Sequence, residues 1–102
     1  LPHGVCNGIL LPHICEANYA ARRERYDRLA SIFGGAPDGR RLPRLLRALG
    51  DRAGLPRGLA SLGVTRKHIP DLTERALGDM TMSTNPRPLS RAEVEAIYER
   101  AL

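Results

Sequence analysis

Large aromatic side chains are nearly absent from this sequence, which has no Trp and a single Phe, Phe33, in 102 residues. A hydrophobic core must therefore be built from Leu, Ile, Val and Ala. Without β-branched runs, these residues favour helices over strands. A chain of this length supports one modest core. We therefore expect an all-α fold of five or six helices that forms a single domain over residues 1–102.

The sequence also lacks a long hydrophobic run and a recognisable signal peptide. No apolar stretch approaches the ~20 residues that a membrane-spanning helix requires. We therefore expect no membrane segment and a cytoplasmic location. This compartment keeps thiols reduced, which bears on the cysteines.

Cysteine is scarce, with Cys6 and Cys15 as the two examples. On one helix these residues would lie ~13 Å apart along the axis and on opposite faces. A disulfide needs Cα atoms within about 7 Å, so the spacing excludes a bond between them. Buried free thiols are the expectation.

The charge is strongly basic, at +5, and almost all of the basic residues are Arg. They are spread along the chain rather than clustered, and Arg23–Asp27 and Glu24–Arg28 have the i,i+4 spacing of a solvated helix face. A nucleic-acid interface would need a basic stripe with groove-reading elements, and neither is visible. We expect no nucleic-acid partner.

Hydrophobic periodicity and terminal signals place the helices. The first contains Pro12, which should kink it or begin its second half. The second should bury a stripe of Tyr26, Leu29, Ala30 and Phe33. The predicted helices cover residues 5–19, 22–33, 42–53, 56–63, 65–77 and 90–102, with Thr65 capping the fifth and a Ser90–Glu93 capping box opening the last.

The residues that could do chemistry do not form a complete site. His3 and His13 would lie ~15 Å apart on one helix, too far to share a metal. We expect His13 to form a hydrogen bond within the packed domain and His68 to cap a helix or lie on the surface. No Gly-rich phosphate loop, G-x-S-x-G or H-E-x-x-H motif occurs. The residues alone indicate a helical domain without a complete active site.

Several motifs in order nevertheless resemble one family. The stretch PHGVCNGILLPHICEANY, the run RYDRLASIFGG and the ending TNPRPLSRAEVEAIYERA are similar to the C-terminal helical domain of the iron-containing alcohol dehydrogenases. The resemblance covers essentially all 102 residues. It implies the dehydroquinate synthase-like fold of that family, with an NAD(P)-binding domain upstream of the segment seen here.

The resemblance also implies a metal site in the cleft between those two domains. One Asp and three His hold the metal, and His3 of the Pro-His-Gly tripeptide matches the last of them. The other ligands would lie upstream. Neutral imidazole suits Fe²⁺ or Zn²⁺, Pro2 would stiffen the approach, and Gly4 would let the backbone turn beside the metal.

Other implied roles follow from the family pattern. Thr81 matches a position near the nicotinamide and is a candidate cofactor-binding residue. Asn85 and Arg87 are expected to fix their loop through hydrogen bonds. Asn7 is either a packing residue or a second contact near the metal. A small alcohol or aldehyde is the implied substrate, the enzyme is expected to be a homo-oligomer, and no catalytic residue is assigned in this segment.

Three alternatives remain open. A maleylacetate reductase-type enzyme is related, although the Pro-His-Gly tripeptide and the Ile97-Tyr98 ending favour the alcohol dehydrogenase form. A non-catalytic helical interaction module and a basic nucleic-acid-binding bundle belong to other classes. Upstream sequence with an Asp and two further His would favour the enzyme.

Overall fold

The computed structural model describes residues 2–102, apart from the side chains of Met80 and Thr81. Within that part of the chain the regular elements are α-helices and short 3₁₀-helices, with no β-strand, which confirms the all-α prediction. No helix among the described residues is long and apolar enough to cross a membrane. The α-helices are α1 (His3–Asn18), α2 (Arg23–Ile32), α3 (Leu42–Arg52), α4 (Ile69–Leu77) and α5 (Arg91–Ala101).

Helix α1 is the longest and runs without a break through Pro12. Since Pro has no N–H, the carbonyl four residues earlier, at Gly8, loses its usual helical partner. Gly8 also lies close to the segment after α3, because a Cβ added there would come within 2.6 Å of Leu55 Cδ1. The absence of a side chain at Gly8 therefore lets α1 pack closely against Leu55.

The core lies where α1, α5 and the 3₁₀-helix Leu59–Leu62 meet, and where α4 packs on α5. Leu10 and Tyr98 pack against both of its two clusters, and so link them. These contacts join elements from both ends of the chain. The buried members are Ile9, Leu59, Val64 and Ala101 in one cluster and Leu89, Val94 and Ile97 in the other.

The prediction of a buried stripe on α2 is wrong for two of its members. Leu29 is 45% and Phe33 44% exposed, whereas Ala30 is fully buried. Periodicity shows which face of a helix is apolar, but it does not supply a partner for that face. Here α2 packs mainly against the short 3₁₀-helix Gly39–Arg41, which is too small to cover the whole stripe.

The carboxylate of Asp27 also differs from its predicted role. Instead of pairing with Arg23 along the helix, it accepts hydrogen bonds from the Tyr19 hydroxyl at 2.9 Å and the Gly39 N–H at 2.6 Å. Asp27 thus joins α2 to the segments on either side of it. Asp27 therefore makes tertiary hydrogen bonds where the sequence predicted a local ion pair with Arg23.

The predicted caps are confirmed. Ser90 Oγ accepts from the Glu93 N–H at 3.2 Å, and Glu93 Oε1 accepts from the Ser90 N–H at 3.0 Å. Gly63 ends the 3₁₀-helix Leu59–Leu62 in the left-handed region, at φ 88°, which favours Gly. Pro70 lies in the first turn of α4, where its missing N–H costs nothing.

Candidate metal centre

His3 is the first residue of α1, and Pro2 is its N-cap. The helix therefore begins at the second residue of the Pro-His-Gly tripeptide, two residues before the predicted start at residue 5. The Cys6 N–H donates to the Pro2 carbonyl at 3.0 Å, which closes the first helical turn. The imidazole of His3 is exposed and is attached to regular backbone rather than to a loop.

Gly4 does not have the role expected of it within this part of the protein. It is helical, its φ is not positive, and an added Cβ would meet nothing within 4 Å. The described residues therefore leave open space at the position that a Gly4 side chain would take. A requirement for Gly at this position would have to come from atoms outside this segment.

Asn7 lies one helical turn after His3 and contacts its ring. Asn7 Nδ2 lies 3.0 Å from His3 Nε2. An amide nitrogen only donates, so Nε2 must accept with its lone pair, and the neutral ring must carry its proton on Nδ1. A metal bound through Nε2 would use that same lone pair and would displace Asn7.

His3 would be a single ligand as far as this segment is concerned. Among residues 2–102, with the side chains of Met80 and Thr81 left aside, no three His, Cys, Asp or Glu side chains are grouped to hold a metal. An exposed neutral imidazole fits a borderline cation such as Fe²⁺ or Zn²⁺. The described residues thus supply one imidazole that suits a metal site, and any further ligands would have to come from outside them.

The two cysteines on α1 are free thiols, as predicted. Cys15 is buried, whereas Cys6 is half-buried and packs against the core. Burial raises the pKa of the Cys15 thiol, which keeps it protonated and a poor metal ligand. The cysteines therefore belong to the packing of α1 rather than to the metal centre.

The other two histidines take different roles. His68 Nδ1 accepts from the Thr65 N–H at 2.9 Å, which confirms the capping prediction. His13 is buried, but its Nδ1 has no hydrogen-bond partner among the described residues, so the expected hydrogen bond within the domain is wrong. Burial, followed by the charge of Arg47, lowers the pKa of His13 and keeps it neutral.

The segment with the candidate cofactor residue is the 3₁₀-helix Met80–Thr84. The side chain of Thr81 lies outside the described part of the structure. A groove of about 550 Å³ adjoins this segment and is lined by Ser83, Thr84 and residues at the start of α2. The segment therefore borders open space large enough for part of a ligand.

Asn85 and Arg87 fix the following loop, as predicted. Asn85 and Asn18 exchange two side-chain hydrogen bonds, at 2.8 and 2.9 Å. Arg87 Nε donates to the Ala17 carbonyl at 2.8 Å, and its guanidinium pairs with Glu93. Sequence reasoning missed Asn18 as the partner, because nothing local marks a residue 67 positions away.

Comparison with known proteins adds family information to this geometry. The model of the "Fe-containing alcohol dehydrogenase family, C-terminal" matches residues 1–102. "Alcohol dehydrogenase 4" of Saccharomyces cerevisiae is 36% identical over 104 residues, which cover 99% of this chain and 27% of that protein. "Lactaldehyde reductase" of Escherichia coli is 33% identical over 107 residues, which cover 98% of this chain and 28% of that protein.

A solved structure described as 1,3-propanediol oxidoreductase is similar in fold, with a TM-score of 0.94 and 30% identity. It is matched over 100% of this chain and 28% of its own length. The chain thus spans a little more than a quarter of the proteins that it matches.

Proposed function

We propose that this chain, which belongs to the Fe-containing alcohol dehydrogenase family and matches its C-terminal region, works within an NAD(P)-dependent enzyme. That enzyme would interconvert alcohols with aldehydes or ketones. The observation that carries this proposal is the exposed imidazole of His3 at the first turn of α1, at the start of a match that runs over residues 1–102. Relatives named for methanol and 1,3-propanediol favour a small alcohol as substrate.

In this proposal His3 is one ligand of a divalent metal, Fe²⁺ by family and Zn²⁺ as the alternative. When bound, such a metal would supply a Lewis acid that polarises the substrate oxygen. The remaining ligands would come from sequence upstream of Leu1. Asn7 would hold the His3 ring in a fixed orientation until the metal takes the Nε2 lone pair.

Thr81 is proposed to line the cofactor side of the cleft. Its support is the open groove beside the 3₁₀-helix Met80–Thr84. Similar proteins include an "NAD-dependent methanol dehydrogenase" and an "NADPH-dependent butanol dehydrogenase", so both nicotinamide cofactors remain candidates.

The test replaces His3 in the full-length protein. His3→Ala should lower the bound metal per subunit, measured by elemental analysis, and should reduce turnover of small alcohols severely. His68→Ala is the matched control, because it removes another exposed histidine from a helix start without touching the centre. Normal metal content and activity in His3→Ala would overturn the proposal, and the metal found in the wild-type protein would distinguish iron from zinc.

A further inference from the structure

A second cavity lies against the middle of α1, at residues 8–13, and His3 is not among its lining residues. Its volume is about 310 Å³, and it lies between α1, α3 and the segment that follows α3. This is the lower end of the range for small-molecule sites. Ile9, Leu46 and Leu55 supply apolar wall.

Three Arg side chains also line this cavity, and two of them are neutralised. Arg57 pairs with Asp51, with Nε 3.1 Å from Oδ1, and Arg47 NH2 lies 3.2 Å from Glu16 Oε1. Arg100, from the last turn of α5, lines the same cavity and makes no ion pair with a described residue. The cavity therefore keeps one uncompensated positive charge.

The remaining polar group of the wall is His13. Its side chain is 8% exposed, and its Nδ1 is buried without a hydrogen-bond partner among the described residues. That nitrogen has almost no accessible surface, so the rest of the His13 ring, and not Nδ1, faces the cavity. Burial, followed by the charges of Arg47 and Arg100, lowers the pKa of His13 and keeps the ring neutral, while the charge of Glu16 acts in the opposite direction. The ring therefore offers hydrogen bonding rather than charge.

We propose that this cavity binds a small monocarboxylate with an apolar body. One unpaired guanidinium matches one negative charge, and Arg binds a carboxylate with two parallel hydrogen bonds. The apolar body would lie against Ile9, Leu46 and Leu55, with the neutral ring of His13 as the second polar contact. The inference does not depend on the metal proposal, because none of these groups belongs to the His3 end of α1.

Benzoate is the probe, and binding is measured by isothermal titration calorimetry on the full-length protein at constant ionic strength. Arg100→Gln should weaken benzoate binding about tenfold or more, since it removes a charge-assisted pair. Arg28→Gln removes the same charge from an exposed position on α2, away from the cavity, and should leave the affinity unchanged. Benzamide, the neutral analogue, should bind as weakly to the wild type as benzoate binds to Arg100→Gln.

His3→Ala separates this site from the metal centre, because a carboxylate could also bind a metal. The variant should keep its affinity for benzoate, whereas loss of binding would place the ligand at the metal and overturn the inference. Absence of benzoate binding to the wild-type protein, or equal affinity in Arg100→Gln, would overturn it as well. Circular dichroism of Arg100→Gln checks that this exposed substitution leaves the helices intact.

Discussion

At its C-terminal end, α1 is tied to a distant segment through Asn18 and the carbonyl of Ala17, which contact Asn85 and Arg87. At its N-terminal end, the described hydrogen bond of the candidate ligand stays within the helix, from Asn7 to His3. Asn18 is 1% exposed, whereas Asn7 and His3 are both exposed. Anchorage and candidate chemistry therefore lie at opposite ends of one helix.

This separation teaches how an exposed ligand can be held in place. A helix tied at its C-terminal end and packed along its length against α3 and α5 can present an exposed side chain at its first turn. An exposed group at that turn can then bind or release a partner without loss of a described core contact. The amide pair of Asn18 and Asn85 should accordingly matter for stability and His3 for function.

The largest expected effect is the loss of Asn18. Asn18→Ala removes both hydrogen bonds to Asn85 and leaves that part-buried amide short of partners. Losing a partner at a buried polar group costs about 1–3 kcal/mol, and the small cavity left by the truncation adds to this. We expect the free energy of unfolding, from urea denaturation followed by circular dichroism, to fall by about 2–3 kcal/mol.

A double-mutant cycle with Asn85→Ala tests whether this cost belongs to the pair. The two substitutions should be clearly non-additive, because either one breaks the same contact. If the two losses of unfolding free energy simply add, contacts other than the Asn18–Asn85 pair hold this end of α1.

A smaller effect on the free energy of unfolding should appear at acidic pH, through the carboxylate of Glu93. The Arg87 guanidinium, followed by the Ser90 N–H, lowers the pKa of Glu93 from 4.5 to about 2. Glu93 therefore stabilises the folded state at pH values above 4.5, and this contribution is lost as the pH falls from 4.5 toward about 2. Because Arg87 also holds the Ala17 carbonyl, acid should loosen the anchored end of α1.

Glu93→Gln should flatten the pH dependence of the urea midpoint in that range, and it should lower the midpoint at neutral pH. Glu95→Gln is the matched control on the same helix, since the structure records no ion pair for Glu95 among the described residues. Equal flattening by both variants would contradict a specific role for Glu93.

Much of the fold could be predicted because its signals are local. The Ser90–Glu93 capping box acts within one turn, and its prediction is confirmed. Gly63 and Pro70 likewise act within one turn of the helices that they end and begin. The exposure of Leu29 and the pairing of Asn18 with Asn85 could not be predicted, because both depend on which distant segment packs there.

The candidate site was predictable only through family resemblance. The candidate ligand His3 has no nearby metal-binding partners in the described part of the chain, so its spacing to other residues carries no signal of a metal site. His13 was misjudged for a related reason. Sequence shows that a histidine lies on a buried face, but it does not show whether a partner reaches the ring.

The smallest effect on stability should come from Asn7→Ala, the same substitution as Asn18→Ala at the opposite end of the helix. Asn7 is exposed and its hydrogen bond stays within one turn, so unfolding should change by no more than about 0.5 kcal/mol. Its effect should appear instead at the His3 ring. Without the amide donor, Nε2 no longer has to accept, and the population of the Nε2–H tautomer should rise.

Long-range ¹H–¹⁵N correlation spectra of the metal-free protein measure that change directly, because protonated and unprotonated imidazole nitrogens have distinct shifts. His68, whose Nδ1 accepts from the Thr65 N–H, provides an internal reference that should not move. A loss of stability comparable to that of Asn18→Ala would mean that the N-terminal end of α1 is also an anchor. Unchanged nitrogen shifts of the His3 ring would mean that Asn7 does not orient it. The backbone of the first turn of α1 would then be what positions this imidazole.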